Sequence, residues 1–207
     1  MQPIDLTHRF AKDMPVYPGD PPARLEQIAH IGNGEYNMYC LCSGMHVGTH
    51  IDAPLHMIAG GKFVCDVPVT RFFGRGHLID ARGRRSATPD LLKNADVCAS
   101  DIVLVLTGWY RRFGDDTYYT DYPELEPEFA QELVKIGASI VGLDTPSPDR
   151  SPFVVHKILL SAELLIIENL TNLEALLGID KFDVVALPAK LQCEAAPVRV
   201  IAQPRGK

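Results

Sequence analysis

The chain lacks any apolar run long enough to span a bilayer. Stretches such as Ile158 to Leu160 and Leu164 to Ile167 fall far below the roughly 20 residues a membrane helix requires. Cysteine is scarce and odd in number: Cys40, Cys42, Cys65, Cys98 and Cys193, with no CxxC pair. That excludes a disulfide framework and points to a reducing compartment. The opening MQPIDLTHRF carries charges and a proline where a secretory signal needs an apolar core, so a cytoplasmic protein is expected. No long basic stretch occurs, and Arg82, Arg84 and Arg85 around Gly83 read as a solvated loop. With a net charge of -6 and a pI near 5.6, nucleic acid is not an expected partner. The chain also has no G-x-S-x-G elbow for a serine nucleophile, and no cysteine has an evident base.

Repeats, low-complexity tracts and linkers are missing as well, so residues 1–207 are expected to form a single domain. Hydrophobic residues at 46% and charged residues at 22% suit a globular protein that folds without staples. Short runs rich in Val, Ile and Leu predict strands at Leu78–Asp80, Ile102–Leu106, Ile140–Leu143, Leu164–Ile167, Val184–Leu187 and Val198–Ile201. A helix is predicted over Pro127–Ile136, opened by Pro127 and stopped by Gly137. Shorter helices are expected over Leu173–Leu177 and Pro89–Lys93. The class is α/β with more strand than helix.

The densest chemistry lies in residues 45–56, Met-His-Val-Gly-Thr-His-Ile-Asp-Ala-Pro-Leu-His. In an extended segment alternate side chains share a face. One parity collects His46, His50, Asp52 and His56; the other collects Met45, Val47, Ile51, Ala53 and Leu55. Imidazole and carboxylate are common ligands for zinc and its neighbours. On a straight strand His46 and His50 would stand about 13 Å apart, so one ion requires a bend, and Gly48 is the natural place for it. Asp52, with two oxygens, has the means to bridge two ions. His8, His30 and His77 stand alone and read as ordinary residues. Cys40 and Cys42 share the motif's parity and read as small apolar packing residues.

Further along, His156 interrupts an apolar stretch between Val155 and Ile158, and Glu168 ends the run Leu164–Ile167. Taken alone, Glu168 reads as a solvated carboxylate at a strand rim. The pattern His46-x-Gly48-Thr49-His50-x-Asp52-x-Pro54-x-His56 resembles the HxGTHxDxPxH signature of the cyclase family of metal-dependent hydrolases, which includes bacterial kynurenine formamidase (arylformamidase) and isatin hydrolase. Tyr17-Pro18-Gly19-Asp20 is similar to the family's W-P-G-D segment, and Gly142 to Ser147 to its G-x-D-x-P-S turn. His156 and Glu168-Asn169-Leu170 resemble its late H…ENL segment, and residues 186–199 its ending.

The resemblance implies that His46, His50 and Asp52 hold one divalent ion and that Asp52, Glu168 and His156 hold a second. Zinc is the first choice and manganese the second. It further implies that His56 is the catalytic acid/base, and that the fold is a β-rich single domain of the swivelling β/β/α type, assembled as a homodimer. Tyr17, where formamidases commonly carry tryptophan, would wall the substrate pocket. The implied activity is arylformamidase-type amide hydrolysis. Opening of a cyclic amide, or metal and ligand binding without catalysis, are the alternatives.

Overall fold

A computed structural model describes residues 2–206. Its strands are β1 (Ile4–Asp5), β2 (Arg24–Ala29), β3 (Met38–Cys42), β4 (His50–Asp52), β5 (Phe73–Asp80), β6 (Ser86–Ala87), β7 (Ile102–Leu106), β8 (Glu124–Leu125), β9 (Ile140–Leu143), β10 (Leu165–Glu168), β11 (Phe182–Pro188) and β12 (Ala195–Pro204). Two α-helices accompany them, α1 (Pro127–Ile136) and α2 (Val154–Ser161).

The main sheet runs β12-β11-β5-β7-β9-β10-β4, and β4 pairs back onto β12, which closes a mixed barrel; β1 joins alongside β12. The long strand β12 makes closure possible. Its Ala195–Pro197 end pairs with β4, while Ile201 and Ala202 pair with β1. Strands β5, β7, β9 and β10 are mutually parallel.

Alternation along the strands builds two cores. Ile102, Leu104 and Leu106 of β7 point inward with Ile140, Ile167, Phe182, Val184, Val200 and Ile51. Val103 and Val105 point outward with Val141, Leu143 and Ile166, where Phe129 and Leu133 of α1 and Leu159 of α2 cover them. Burial on both faces explains the continuous apolar sequence of β7. Helix α1 has its expected limits, with Pro127 in its first turn and Gly137 left-handed at φ 81°.

Several elements depart from the sequence expectation. Strand β5 begins at Phe73, five residues before the predicted Leu78, because Gly74, Arg75 and Gly76 conceal its pattern. The expected helices at 173–177 and 89–93 are single 3-10 turns. The 154–161 stretch, in which only apolar runs were evident, is a helix that buries Val155, His156, Leu159 and Leu160. Cys40 and Cys42 are exposed and do not pack in a core, because β2 and β3 pair only with each other and β3 is uncovered along its length.

Gly76 sits where β5 faces β11. A Cβ there would run into the buried Phe182 ring and approach Val184 Cγ2 to 2.8 Å. Overpacking of this kind costs about 1–3 kcal/mol. Gly76→Ala is therefore expected to lower the unfolding free energy by that amount, read as a lower midpoint in urea unfolding, with metal content unaltered. An unchanged midpoint would show that β5 and β11 can separate freely.

Candidate metal centre

The signature does bend. Gly48 takes φ +65°, a left-handed conformation that favours glycine, and it packs against the end of the Met14 side chain. His50 and Asp52 then lie on β4 with Ile51 directed into the barrel. The β4–β10 register sets Glu168 directly opposite His50, and facing side chains of an antiparallel pair meet. Glu168 is therefore buried at the site, correcting the solvated-rim reading. His56 follows on the 3-10 turn Pro54–His56, and α2 delivers His156.

All six residues of the expected set converge. His46 Nδ1 lies 3.1 Å and His50 Nε2 3.5 Å from Asp52 Oδ1. Glu168 spans the other side, with Oε2 3.1 Å from His50 Nε2 and Oε1 3.3 Å from His156 Nε2. The His56 ring is 4.2 Å from that of His46 and 5.6 Å from that of His156, between centroids. Donor atoms cluster as His46, Asp52 and His56, and as His50, Asp52 and Glu168. Asp52 belongs to both groups. By distance His50 sides with Glu168, and His56 joins His46.

Two contacts outside the expected set fix the imidazoles. His50 Nδ1 donates to the Gly48 carbonyl at 2.8 Å, and His156 Nδ1 meets Asp149 Oδ1 at 2.5 Å. Each leaves its Nε2 aimed at the carboxylates. Asp149 also accepts the Val155 N–H at 2.7 Å, which ties it to the first turn of α2. Sequence reasoning missed Asp149; its signal was an acidic residue one or two helical turns before a candidate ligand.

The electrostatics fit a cation. Asp52 is fully buried, and neither of its oxygens nor His50 Nε2 has a hydrogen-bond partner among the described residues. Burying a carboxylate without donors costs several kcal/mol. With its proton on Nδ1, the His50 Nε2 lone pair faces carboxylate lone pairs, and a shared positive charge relieves the repulsion. Without a metal a proton does this: burial opposes the imidazolium, but Asp52 and Glu168 outweigh it and raise His50 to about 9. Burial likewise opposes charge on His156, and Asp149 and Glu168 raise it to about 10. His56 is lowered, by burial first and then by the His46 charge, although Asp52 pulls the other way. Both carboxyls are held below their usual range against burial, Asp52 chiefly by His50 and Glu168 chiefly by His156.

A cavity of about 210 Å³ opens over the cluster, lined by His46, His56, His156, Glu168, Tyr17 and Tyr119 among others. The Tyr17 and Tyr119 rings meet edge to face at 5.5 Å. His8, His30 and His77 line no part of it. Larger cavities beside Asp5 and Arg199 and beside Arg75 and Arg205 have no comparable donor cluster among the described residues, so size does not select the site.

The Asp149 contact yields a measurement. Asp149→Asn keeps an acceptor for Val155 but loses the charge that orients His156. Outer-shell changes typically cost 10–100-fold in metal affinity. Chelator competition on zinc-loaded protein is expected to show about that loss for one class of ion, with the circular dichroism spectrum unchanged. Equal affinities in the two proteins would remove Asp149 from the centre.

Comparison with known proteins agrees with this geometry. The family model Cyclase, described as "Putative cyclase", matches residues 4–150. A kynurenine formamidase of Paracidovorax citrulli is 32% identical over 207 residues, covering 95% of this chain and 94% of that protein. One from Geobacillus thermodenitrificans is 29% identical over 209 residues, covering 98% of each. A solved potential metal-dependent hydrolase with cyclase activity aligns over 100% of this chain and 99% of its own, at 28% identity and a TM-score of 0.81. An isatin hydrolase bound to a product analogue, thioisatinate, shares the fold at a TM-score of 0.87 and 22% identity, covering 99% of this chain and 93% of that one. With a matching signature, a matching barrel and a family model spanning well over half its length, the chain belongs to the cyclase family.

Proposed function

We propose that the chain is a metal-dependent amide hydrolase of the arylformamidase type, converting N-formylkynurenine and water to kynurenine and formate. The observation that carries this reading is Asp52, whose buried, donor-free carboxylate is shared by two groups of ligating atoms. As the family resemblance has it, His46, His50 and Asp52 would hold one divalent ion, and Asp52, Glu168 and His156 a second, although the donor distances group His50 with Glu168 across Asp52. Zinc is the first candidate and manganese the second, since nitrogen and oxygen donors accept either. Such ions, when bound, acidify water and polarise a carbonyl oxygen. Formamidase names among relatives aligned over nearly the full chain support the hydrolase class.

The chain's own residues supply the remainder. Tyr17 and Tyr119 offer an aryl ring an aromatic wall. His56 faces the same cavity and carries a proton on an imidazole nitrogen. A C–O bond forms at the formyl carbon and the C–N bond breaks. The proton given up by water passes through His56 to the departing nitrogen, yielding an aryl amine and formate. His56 also sits beside His46 and Asp52 in one group of donor atoms, so a ligand role is the alternative that metal analysis of its variant decides.

The closed mixed barrel with helices over one face supports the swivelling β/β/α class. No helix among the described residues is long and apolar enough to cross a membrane, and all five cysteines are free thiols, which supports a cytoplasmic setting. A homodimer is supported by the β2–β3 hairpin. An isolated two-stranded hairpin is marginal in water, yet this one exposes Tyr36, Tyr39 and Leu41 at 61%, 58% and 54%, with Ile28, Ile31 and Met38 beside them. Apolar exposure concentrated on one element marks an interaction surface.

Two experiments bear on these statements. His56→Ala is expected to retain both ions by elemental analysis while kcat on N-formylkynurenine falls about 10²–10⁴-fold, the range for a lost general acid/base. Loss of an ion instead makes His56 a ligand, and a wild type inert on every N-formyl aniline ends the formamidase reading. Sedimentation of the wild type at micromolar concentration is expected to give a dimer, and the Tyr39→Asp, Leu41→Asp double variant a folded monomer. A monomeric wild type would leave the hairpin without this role.

A further inference from the structure

Asn169 directly follows Glu168 and lies in the left-handed region at φ 56°, 4% exposed. Nearly every polar group it owns is committed. Its N–H donates to the Thr145 carbonyl at 2.9 Å, and its carbonyl accepts the Thr49 hydroxyl at 2.6 Å. Its side-chain Oδ1 accepts the Tyr118 hydroxyl at 2.8 Å. Tyr118 is fully buried and its hydroxyl proton has no other acceptor among the described residues, so the carboxamide oxygen must face it. That orientation leaves Nδ2, with two N–H donors and no protein partner among the described residues, in a residue that lines the cavity.

The backbone alone does not require asparagine. Glycine and aspartate also tolerate a left-handed conformation, and aspartate would equally accept the Tyr118 hydroxyl. Only the amide nitrogen is particular to asparagine. Its place is defined by two neighbours. Glu168 belongs to the ligand cluster, while the Tyr118 ring packs on Tyr119 at 5.0 Å and Tyr119 on Tyr17 at 5.5 Å. Asn169 thus lies at the seam between the aromatic wall and the centre. An aryl ring held by that wall, with its amide at the centre, turns its ortho substituent toward the seam.

We infer that the Asn169 carboxamide nitrogen is the hydrogen-bond donor that selects aryl amides carrying an oxygen ortho to the scissile nitrogen. The inference rests on the aryl-amide reading above. A neutral donor is suited to this position, since it recognises a carbonyl or carboxylate oxygen without adding to the charges of the centre. A site built to hydrogen-bond one group discriminates against ligands that do not present it, because a bound ring then shuts this cavity-facing donor off from water without giving it a partner.

The test uses zinc-loaded, full-length protein and a pair of product-like isomers, 2-aminobenzamide and 3-aminobenzamide, with calorimetry as the readout. Wild type is expected to prefer the ortho isomer by about tenfold, the worth of one such hydrogen bond. In Asn169→Gly and Asn169→Asp the preference is expected to fall to about one, with affinity for 3-aminobenzamide and metal content retained. Gly keeps the backbone conformation and Asp keeps the Tyr118 acceptor, so a purely structural role predicts preserved preference in at least one of them. No ortho preference in wild type, or a preference that survives in either variant, overturns the inference. Hydrolysis is scored separately on formanilide and 2-formamidobenzamide. Absence of turnover beside the expected binding pattern would sink the formamidase reading and leave the donor assignment intact.

Discussion

A carboxylate held entirely out of water among imidazoles, without a well-formed hydrogen bond among the described residues, is the constraint on which this structure turns. Asp52 occupies that position on β4, a three-residue strand paired on both sides, with β10 and with β12. The same pairings close the barrel, so the strand that seals the fold also carries a fully buried carboxylate. Ala195 and Ala196 oppose Asp52 and Ile51 across the closure. The cost of the charge is relieved by surrounding imidazoles when they are protonated, or by a cation among the same atoms. A ligand that binds only the folded chain stabilises it by RT ln(1 + [L]/Kd), about 4 kcal/mol at 1,000 times Kd. A cation bound at this cluster would in that way link occupancy to folding.

The location of the site follows from the parallel part of the sheet. Glu168 is the last residue of β10, and the turn after β9 brings Pro146 and Ser147 to the cavity. Open parallel sheets bind ligands beyond the carboxyl ends of their strands, and the closed barrel here keeps that habit along β9 and β10. The antiparallel strand β4 adds His50 and Asp52 from the opposite direction. The centre therefore lies where the parallel and antiparallel portions meet, a junction that strand composition alone does not reveal.

What could be read in the sequence, and what could not, divides along physical lines. The ligand motif was legible because side-chain parity and the reach between His46 and His50 demand a bend, and Gly48 was the residue able to supply it. β7, β9 and α1 were legible because burial on both faces, or a proline and a glycine at the two ends, leaves a local pattern. Strand β5 was truncated because its glycines answer to distant partners, Gly76 to Phe182 and Gly74 to Ser100 and Ile102. Helix α2 was obscured by its high apolar content, which suits a buried helix and a strand equally. Glu168 looked solvated because its burial depends on the register of β4 against β10. Asp149 meets the site through His156, and a bond between two side chains seven residues apart has no signature until the chain between them is shaped.

The four imidazoles of the centre are not equivalent, and the difference bears on which of them moves a proton. His50 and His156 are each fixed through Nδ1, by a backbone carbonyl and by a carboxylate. Rings anchored in this way present one nitrogen in one direction, as a ligand should. His46, partly exposed, lies between Asp52 and Glu194, whose Oε1 is 3.5 Å from its Nε2. His56 has no side-chain hydrogen bond among the described residues and borders the cavity on a short 3-10 turn. Burial and the neighbouring imidazoles also disfavour charge on it, so that it is neutral where His50 and His156 would hold protons. A neutral ring without an anchor is able to accept a proton from one side and release it on the other, whereas an anchored ring must first break its hydrogen bond. The cluster is thus divided: His50 and His156 are held through Nδ1, and His56, one of three imidazoles lining the cavity, has no such anchor among the described residues.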